Sequence, residues 1–199
     1  MIIKRLKSID EFKRLTKNHL DNITLYSETV KLNKLINNFI LYQSISTIVS
    51  FIFKNLKALD LQKNNIGSKG VLILKVYIKN SENLVYLNLS YNNLCDEGLK
   101  YFSDCLKMNK TVQNVNLECN NINDEGFNYF INNLKFYRAL KVLKLALNLI
   151  TYDGLKNLSN MLDNNKMLIF NLIDLKYNNI IIVDNECIMD SLNLHKVII

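Results

Sequence analysis

The sequence predicts an α/β solenoid, in which a strand–turn–helix unit repeats along the chain. The first observation behind this prediction is a set of asparagines spaced by 28, 28, 28 and 30 residues: Asn64, Asn92, Asn120, Asn148 and Asn178. The second is that apolar residues lie eight, five and three positions before each asparagine and two positions after it. The pattern L-x-x-L-x-L-x-x-N-x-L/I therefore occurs five times, and self-similarity at a fixed period indicates stacked repeats.

Each unit divides into a strand half and a helix half. The x-L-x-L-x part has period two, which is typical of a strand. In the first four units a glycine lies six residues after the asparagine, and apolar residues follow it at spacings of four and eight, on one face of an α-helix. Those apolar residues are Leu74, Ile78, Phe102, Leu106, Phe130, Leu134, Leu158 and Leu162. The expected helix N-caps are Ser68, Asp96, Asp124 and Thr151.

One unit cannot bury both of its faces, so the units are expected to stack with strands beside strands and helices beside helices. An asparagine side chain both donates and accepts hydrogen bonds and can pair with the backbone of adjacent turns. We therefore expect a structural asparagine ladder formed by Asn38, Asn64, Asn92, Asn120, Asn148 and Asn178. Asn38 belongs to a degenerate repeat, in which Val30 and Leu35 fit but Asn33 replaces an aliphatic residue.

These repeats resemble those of leucine-rich repeat proteins, and the 28-residue unit with G-x-x-x-L/F-x-x-x-L/I is similar to the ribonuclease-inhibitor-like class. The resemblance covers residues 56–193. It implies a leucine-rich repeat solenoid, a curved horseshoe with parallel strands on its concave face and helices on its convex face.

The chain divides into four parts. Residues 1–22 are expected to form an N-terminal capping region, with a helix over 8–20 that begins at a capping box. Residues 23–55 hold the degenerate first repeat, and residues 56–193 hold five leucine-rich repeats. Residues 194–199 are either a terminal edge strand or the start of a further repeat, because Leu194, Val197 and Ile199 keep the strand spacing.

Composition excludes several classes of protein. The net charge is +7, but only three of the 25 basic residues are Arg, which disfavours recognition of nucleic acid or an acidic membrane. The longest apolar stretches are far shorter than the roughly 18 residues of a membrane span. No signal peptide is expected, because the N-terminal residues are charged and contain no apolar segment. The four cysteines form no C-x-x-C. A cytoplasmic protein is expected.

The sequence contains no recognisable catalytic motif. His19 and His195 lie at opposite ends of the predicted solenoid, so they cannot act together. We therefore expect no enzyme activity, no cofactor, no metal site and no small-molecule substrate. The expected protein is a scaffold, monomeric by itself, that binds a partner protein through the concave face.

The candidate protein-binding residues are those that alternate with the core leucines. Tyr and aliphatic residues are expected to supply affinity, and charged residues specificity. The candidates are Asp60, Tyr86, Asn88, Asn114, Asn116, Glu118, Val142, Lys144, Leu172, Asp174 and Lys176. Tyr91 and Tyr177 stand beside ladder asparagines.

Two alternatives stay open at this point. Similar repeats occur in the GTPase-activating protein of the Ran cycle, so the chain could regulate a partner GTPase, although that family has more repeats and an acidic tail. Alternatively, the basic residues between 4 and 17 could bind nucleic acid or an acidic membrane. Similar repeats also occur in tropomodulin and in ubiquitin-ligase adaptors, but no motif favours either.

Overall fold

The computed structural model describes residues 3–6, 29–32, 56–182 and 192–199. In these ranges eight strands form one parallel sheet in chain order. The strands are β1 (Ile3–Leu6), β2 (Thr29–Leu32), β3 (Ala58–Asp60), β4 (Tyr86–Asn88), β5 (Asn114–Asn116), β6 (Val142–Lys144), β7 (Leu172–Asp174) and β8 (Val197–Ile198). The helices between β3 and β7 are α1 (Gly67–Asn80), α2 (Cys95–Leu106), α3 (Asp124–Leu134) and α4 (Tyr152–Asp163). The predicted α/β repeat fold is confirmed.

From β3 onward the strands pair in the register that the repeat alignment predicts. Leu59 lies beside Leu87, and Leu87 lies beside Val115. The helices pack in the same order, each against the next. Because parallel strands lie about 4.8 Å apart whereas packed helices lie about 8–10 Å apart, such a stack bends with its strands on the inner side. The sheet therefore lines the concave face.

The core fills the space between the sheet and the helices. Every apolar residue predicted on the inner helix faces is buried, and so is every apolar strand position from Leu56 to Leu175, which confirms both patterns. Leu99, Phe127 and Leu155, each directly after a repeat glycine, are also fully buried. The rings of Phe102 and Phe130 stack with their centroids 6.1 Å apart. The stacked repeats thus share one continuous apolar core.

The repeat glycines allow close contact between successive repeats. A Cβ atom added to Gly126 would lie 2.7 Å from the Cα atom of Asp96, in the preceding helix. The same addition at Gly98 would be less severe, because its nearest contact would be 3.0 Å from the Cβ atom of Leu94. Glycine at position 126 is therefore a packing requirement.

The helix caps differ from the prediction at three of four positions. Thr151 caps α4 as predicted, since its hydroxyl accepts a hydrogen bond from the backbone N–H of Asp153. Ser68, Asp96 and Asp124, by contrast, lie inside the first turns of their helices. The helices α1 and α2 have no side-chain cap, and the α3 cap is Asn123, which accepts from the N–H of Glu125.

The two aspartates instead join neighbouring repeats. Oδ1 of Asp96 accepts a hydrogen bond from the backbone N–H of Asn123 at 2.9 Å, and Oδ1 of Asp124 accepts from that of Thr151 at 2.9 Å. Each carboxylate therefore binds the start of the next helix, where unpaired N–H groups favour negative charge.

The ends of the sheet also differ from the sequence analysis. The edge strand β1 was not predicted, and the helix expected over 8–20 lies outside the described residues. In β2, Val30 rather than Asn33 lies opposite Leu59. This register, three residues from the predicted one, puts an aliphatic residue in a column of apolar residues, where an amide would be costly. Asn38 lies outside the described residues.

At the other end, β8 pairs with β7 in the expected register, with Val197 opposite Ile173. Leu194 does not occupy the expected core position, because it is 78% exposed. Leu192 and His195 are buried there instead, and the His195 ring packs edge-on against Phe170.

Candidate functional site

The ladder asparagines lie behind the strand ends, and their side-chain amides form hydrogen bonds with backbone groups. Oδ1 of Asn120 accepts from the N–H groups of Asn92 and Leu94, at 3.1 and 3.3 Å. Its Nδ2 donates to the carbonyl groups of Leu89 and Leu117, at 2.9 and 3.0 Å. The amides of Asn92 and Asn148 make equivalent bonds. These buried side chains hold adjacent repeats together and leave no group free for a ligand.

The accessible surface of the sheet is the strand face, which we define as three columns of outward-pointing residues. The first column is Ala58, Tyr86, Asn114, Val142 and Leu172. The middle column is Asp60, Asn88, Asn116, Lys144 and Asp174. The third column, two residues further along each repeat, is Gln62, Ser90, Glu118, Ala146 and Lys176. All eleven candidate binding residues lie in these columns.

Four of the five middle-column side chains fold back onto their own strand ends. The Oδ1 atoms of Asp60, Asn88, Asn116 and Asp174 each accept a hydrogen bond from the backbone N–H two residues further on, at 3.0 to 3.1 Å. Asp60 and Asn88 are buried as well, with exposed fractions of 6% and 5%. Lys144 differs from them because its side chain is exposed. Much of this column is therefore part of the turn structure.

The first column carries the apolar side chains of the strand face. Tyr86 is 37% exposed, and Val142 and Leu172 are partly exposed in the same line. Partial burial, followed by the nearby charge of Asp60, raises the pKa of the Tyr86 hydroxyl. Tyr86 therefore stays a neutral hydrogen-bond donor at physiological pH. This column can contact an apolar partner surface without any rearrangement of the sheet.

In the third column, Ser90 and Ala146 are buried whereas Lys176 is exposed. Glu118 is engaged by its neighbour, because the Tyr91 hydroxyl donates a hydrogen bond to Oε1 of Glu118 at 3.1 Å. That bond raises the pKa of Tyr91. The Nζ atom of Lys63 lies 4.9 Å from the centroid of the Tyr91 ring, a cation–π distance.

A further column borders the strand face, immediately before each ladder asparagine. All of its residues have positive φ: Lys63, Tyr91, Cys119, Leu147 and Tyr177. Leu147 is 42% exposed and Tyr177 is 78% exposed, so this strand-end column adds a second apolar border. Sequence analysis singled out the two tyrosines but missed Leu147 and the exposed Leu149. The available signal was a leucine on either side of Asn148.

The described part of the chain contains no group of three or more His, Cys, Asp or Glu side chains arranged to hold a metal ion. Among the described helices, none is both long and apolar enough to cross a membrane. The thiol of Cys105 is buried in the core, which raises its pKa to about 12. It is therefore an unreactive thiol at neutral pH.

A family model described as "Leucine Rich repeat" matches residues 54–73, 80–103 and 109–127. No curated protein sequence matches the chain. Solved structures that share the fold include the following two. Leiomodin-1 Actin-Binding Site 2 aligns with a TM-score of 0.62 and 14% identity, over 77% of this chain and 87% of that chain. The Caenorhabditis elegans tropomodulin C-terminal domain aligns with a TM-score of 0.58 and 12% identity, over 77% and 92%.

The family match falls on the first three clear repeats. The strand and the ladder asparagine recur in the next two repeats, and the helix recurs in the fourth. The ribonuclease-inhibitor-like subclass stays a prediction. The repeat pattern, the parallel sheet and the structural neighbours agree with one another, so this chain carries leucine-rich repeats that form an α/β leucine-rich repeat solenoid.

Proposed function

We propose that this protein is a non-catalytic scaffold that binds a partner protein through its strand face. The observation that carries the proposal is the alignment of exposed apolar side chains along both borders of that face. Tyr86, Val142 and Leu172 form one line, and Leu147 and Tyr177 lie on the other. Aligned apolar side chains on an otherwise polar surface mark interaction sites.

The composition of the face favours a protein partner. Tyrosine and aliphatic anchors surrounded by polar groups are typical of protein interfaces, whereas surfaces that bind nucleic acid are dominated by positive charge. One structural neighbour is titled as an actin-binding site. At 14% identity it supports only the general use of this fold as a binding scaffold.

The residues have unequal roles in the proposal. Tyr86 and Leu172 are the main anchors, since aromatic and aliphatic side chains in the centre of an interface contribute most of its affinity. Lys144 and Lys176 are the polar contacts that a partner can reach most easily. Asp60 and Asn88 contribute little, because they are buried and hydrogen-bonded within their own turns.

The test is recovery of partners from native extract with the wild-type chain and with a Tyr86→Ala, Leu172→Ala double variant. The control is Tyr129→Ala with Leu72→Ala, on α3 and α1, whose exposed fractions are 38% and 47%. A protein retained by the wild type and the control, but lost by the strand-face variant, supports the proposal. Its binding is then measured with purified components.

Equal retention of every partner by the two double variants would contradict the proposal. In that case the helix side or the basic N-terminal segment becomes the candidate surface. Circular dichroism of each variant, compared with the wild type, shows whether a loss of binding reflects loss of the fold.

A further inference from the structure

We infer that the strand face over β6 and β7 binds a partner segment in which acidic residues alternate with apolar ones. This inference rests on the proposed function and specifies the chemistry of the partner. Six residues carry it: Lys144, Lys176, Val142, Leu172, Leu147 and Tyr177.

The acidic groups of the strand face already accept hydrogen bonds from groups within the chain. Asp60 is buried and accepts a hydrogen bond from the N–H of Gln62. Glu118 accepts from the Tyr91 hydroxyl, and Asp174 accepts from the N–H of Lys176. These carboxylates satisfy part of their hydrogen-bonding capacity internally, so they are poorly placed to bind a cation on a partner.

The two lysines of the strand face, by contrast, are available to a partner. Lys144 and Lys176 are exposed, and within the described residues neither side chain makes an ion pair or a hydrogen bond. Lys144 lies directly opposite Asp174 on the neighbouring strand, yet it forms no salt bridge with that carboxylate, in contrast to Lys75, Lys100 and Lys107, which pair with nearby acids. Because Lys144 and Lys176 outnumber the single carboxylate of Asp174, the net charge on this part of the face is positive.

Apolar side chains flank the two lysines. Val142 and Leu172 adjoin them in the first column, and Leu147 and Tyr177 adjoin them in the strand-end column. An extended segment laid across β6 and β7 would meet apolar groups at both borders and ammonium groups between them. Complementary charge then specifies the segment, while the apolar contacts supply much of the affinity.

A nucleic acid fits this surface less well. Two lysines are a small positive patch for a polyphosphate, and the residues around them are aliphatic, phenolic or, in Asp174, acidic rather than basic. Phosphate contacts also favour the forked geometry of arginine, and no arginine lies in the columns of the strand face. Carboxylates spaced by apolar side chains match the arrangement better.

The test uses short fluorescein-labelled synthetic peptides with one fixed set of Leu and Phe residues. The spacer residues are Asp and Glu in the first peptide, Ser and Gln in the second, and Lys in the third. A fourth peptide keeps the acids but has Ser in place of every apolar residue, and a single-stranded oligonucleotide is the polyanion probe. Fluorescence anisotropy measures the affinity of each probe for the full chain.

We expect the acidic–apolar peptide to bind best and to bind about tenfold more weakly to a Lys144→Gln, Lys176→Gln variant. A Lys69→Gln, Lys156→Gln variant is the matched control. It removes the same charge from exposed positions on α1 and α4 and should bind like the wild type.

The inference is overturned if no peptide binds, if the neutral or basic peptide binds as well as the acidic–apolar one, or if the acid-only peptide or the oligonucleotide binds best. It is also overturned if both lysine variants lose the same affinity. The proposed function is judged separately. If peptides fail but Tyr86→Ala with Leu172→Ala still abolishes capture of a protein, the strand face is an interface for a partner of different chemistry.

Discussion

Oδ1 of Asn148 lies 2.9 Å from the backbone nitrogen of Asn120, one repeat earlier in the chain. The Asn120 side chain repeats this contact on the turn before it, with its Oδ1 atom 3.1 Å from the backbone nitrogen of Asn92. Both side chains are almost fully buried. The ladder therefore supplies hydrogen bonds that the turn backbone cannot obtain from regular secondary structure, and it does so in a core that excludes water.

The first prediction concerns the loss of one member of this ladder. Replacing Asn120 with Ala leaves buried N–H and carbonyl groups in two repeats without partners, so we expect a loss of about 3 kcal/mol or more in the free energy of unfolding. Urea denaturation followed by circular dichroism measures it. Asn164→Ala is the control, since that side chain is exposed and its amide donates a hydrogen bond to the carbonyl of Asn160 in the same helix end. A loss at Asn120 no larger than that at Asn164 would show that the ladder is dispensable.

The second prediction compares the loss of stability caused by alanine at two of the repeat glycines, Gly126 and Gly98. We expect Gly126→Ala to destabilise the protein by about 2–3 kcal/mol, because the new Cβ atom collides with the backbone of Asp96. Gly98→Ala should cost clearly less, since its nearest contacts are at 3.0 and 3.2 Å. Urea midpoints of the two variants, measured side by side, provide the test. Equal costs would mean that the repeats can slide apart to admit a methyl group.

The repeat spacing was sufficient to predict the sheet register from β3 to β8 and most of the core. One period determines both the position of each strand and the inward-facing residues, so an alignment on Asn64, Asn92 and Asn120 places Leu59, Leu87 and Val115 side by side. Val30 was misplaced by the same method. In that repeat the asparagine pattern is weak, and the register places an aliphatic residue, rather than Asn33, in the column of Leu59.

The candidate site was less predictable. The alternation of apolar and polar residues along a strand shows which way a side chain points, but not which group it bonds. Asp96 and Asp124 have the spacing of helix caps, yet each bonds a backbone N–H 27 residues further along the chain. Asn116 points outward as expected, but its amide oxygen accepts a hydrogen bond from the N–H of Glu118. Such bonds depend on turn geometry, which the order of apolar and polar residues does not specify.

The third prediction concerns Leu147, which has a φ of 56° and is 42% exposed. A leucine in the left-handed region is strained, whereas asparagine adopts that conformation at lower cost. We therefore expect Leu147→Asn to stabilise the fold by about 0.5–1 kcal/mol and to weaken binding at the strand face. Leu149→Asn, at a similarly exposed residue without positive φ, should bring no gain in stability. Loss of stability in Leu147→Asn would indicate that this side chain supports the core.

The fourth prediction is a pH dependence at the C-terminal edge of the sheet. Burial lowers the pKa of His195, and the negative charge of Asp163 only partly opposes that effect. The neutral imidazole is therefore the form that fits the fold, and its contribution to stability is complete above the ordinary histidine pKa of about 6.5. As the pH falls below that value the unfolded chain takes up a proton first, so the stabilisation declines and is lost below the lowered pKa of the folded state.

Hydrogen exchange of the backbone amides that hold β8 to β7 measures this effect. They include the N–H of Ile173, which bonds the carbonyl of Lys196, and the N–H of Leu175, which bonds the carbonyl of Ile198. After correction for intrinsic exchange rates, we expect their protection to fall as the pH is lowered from about 7.5 through the ordinary histidine pKa of about 6.5. A His195→Gln variant, which cannot titrate in this range, should show no such decline. An equal decline in the variant would place the titrating group elsewhere and show that a charged His195 is tolerated against Phe170.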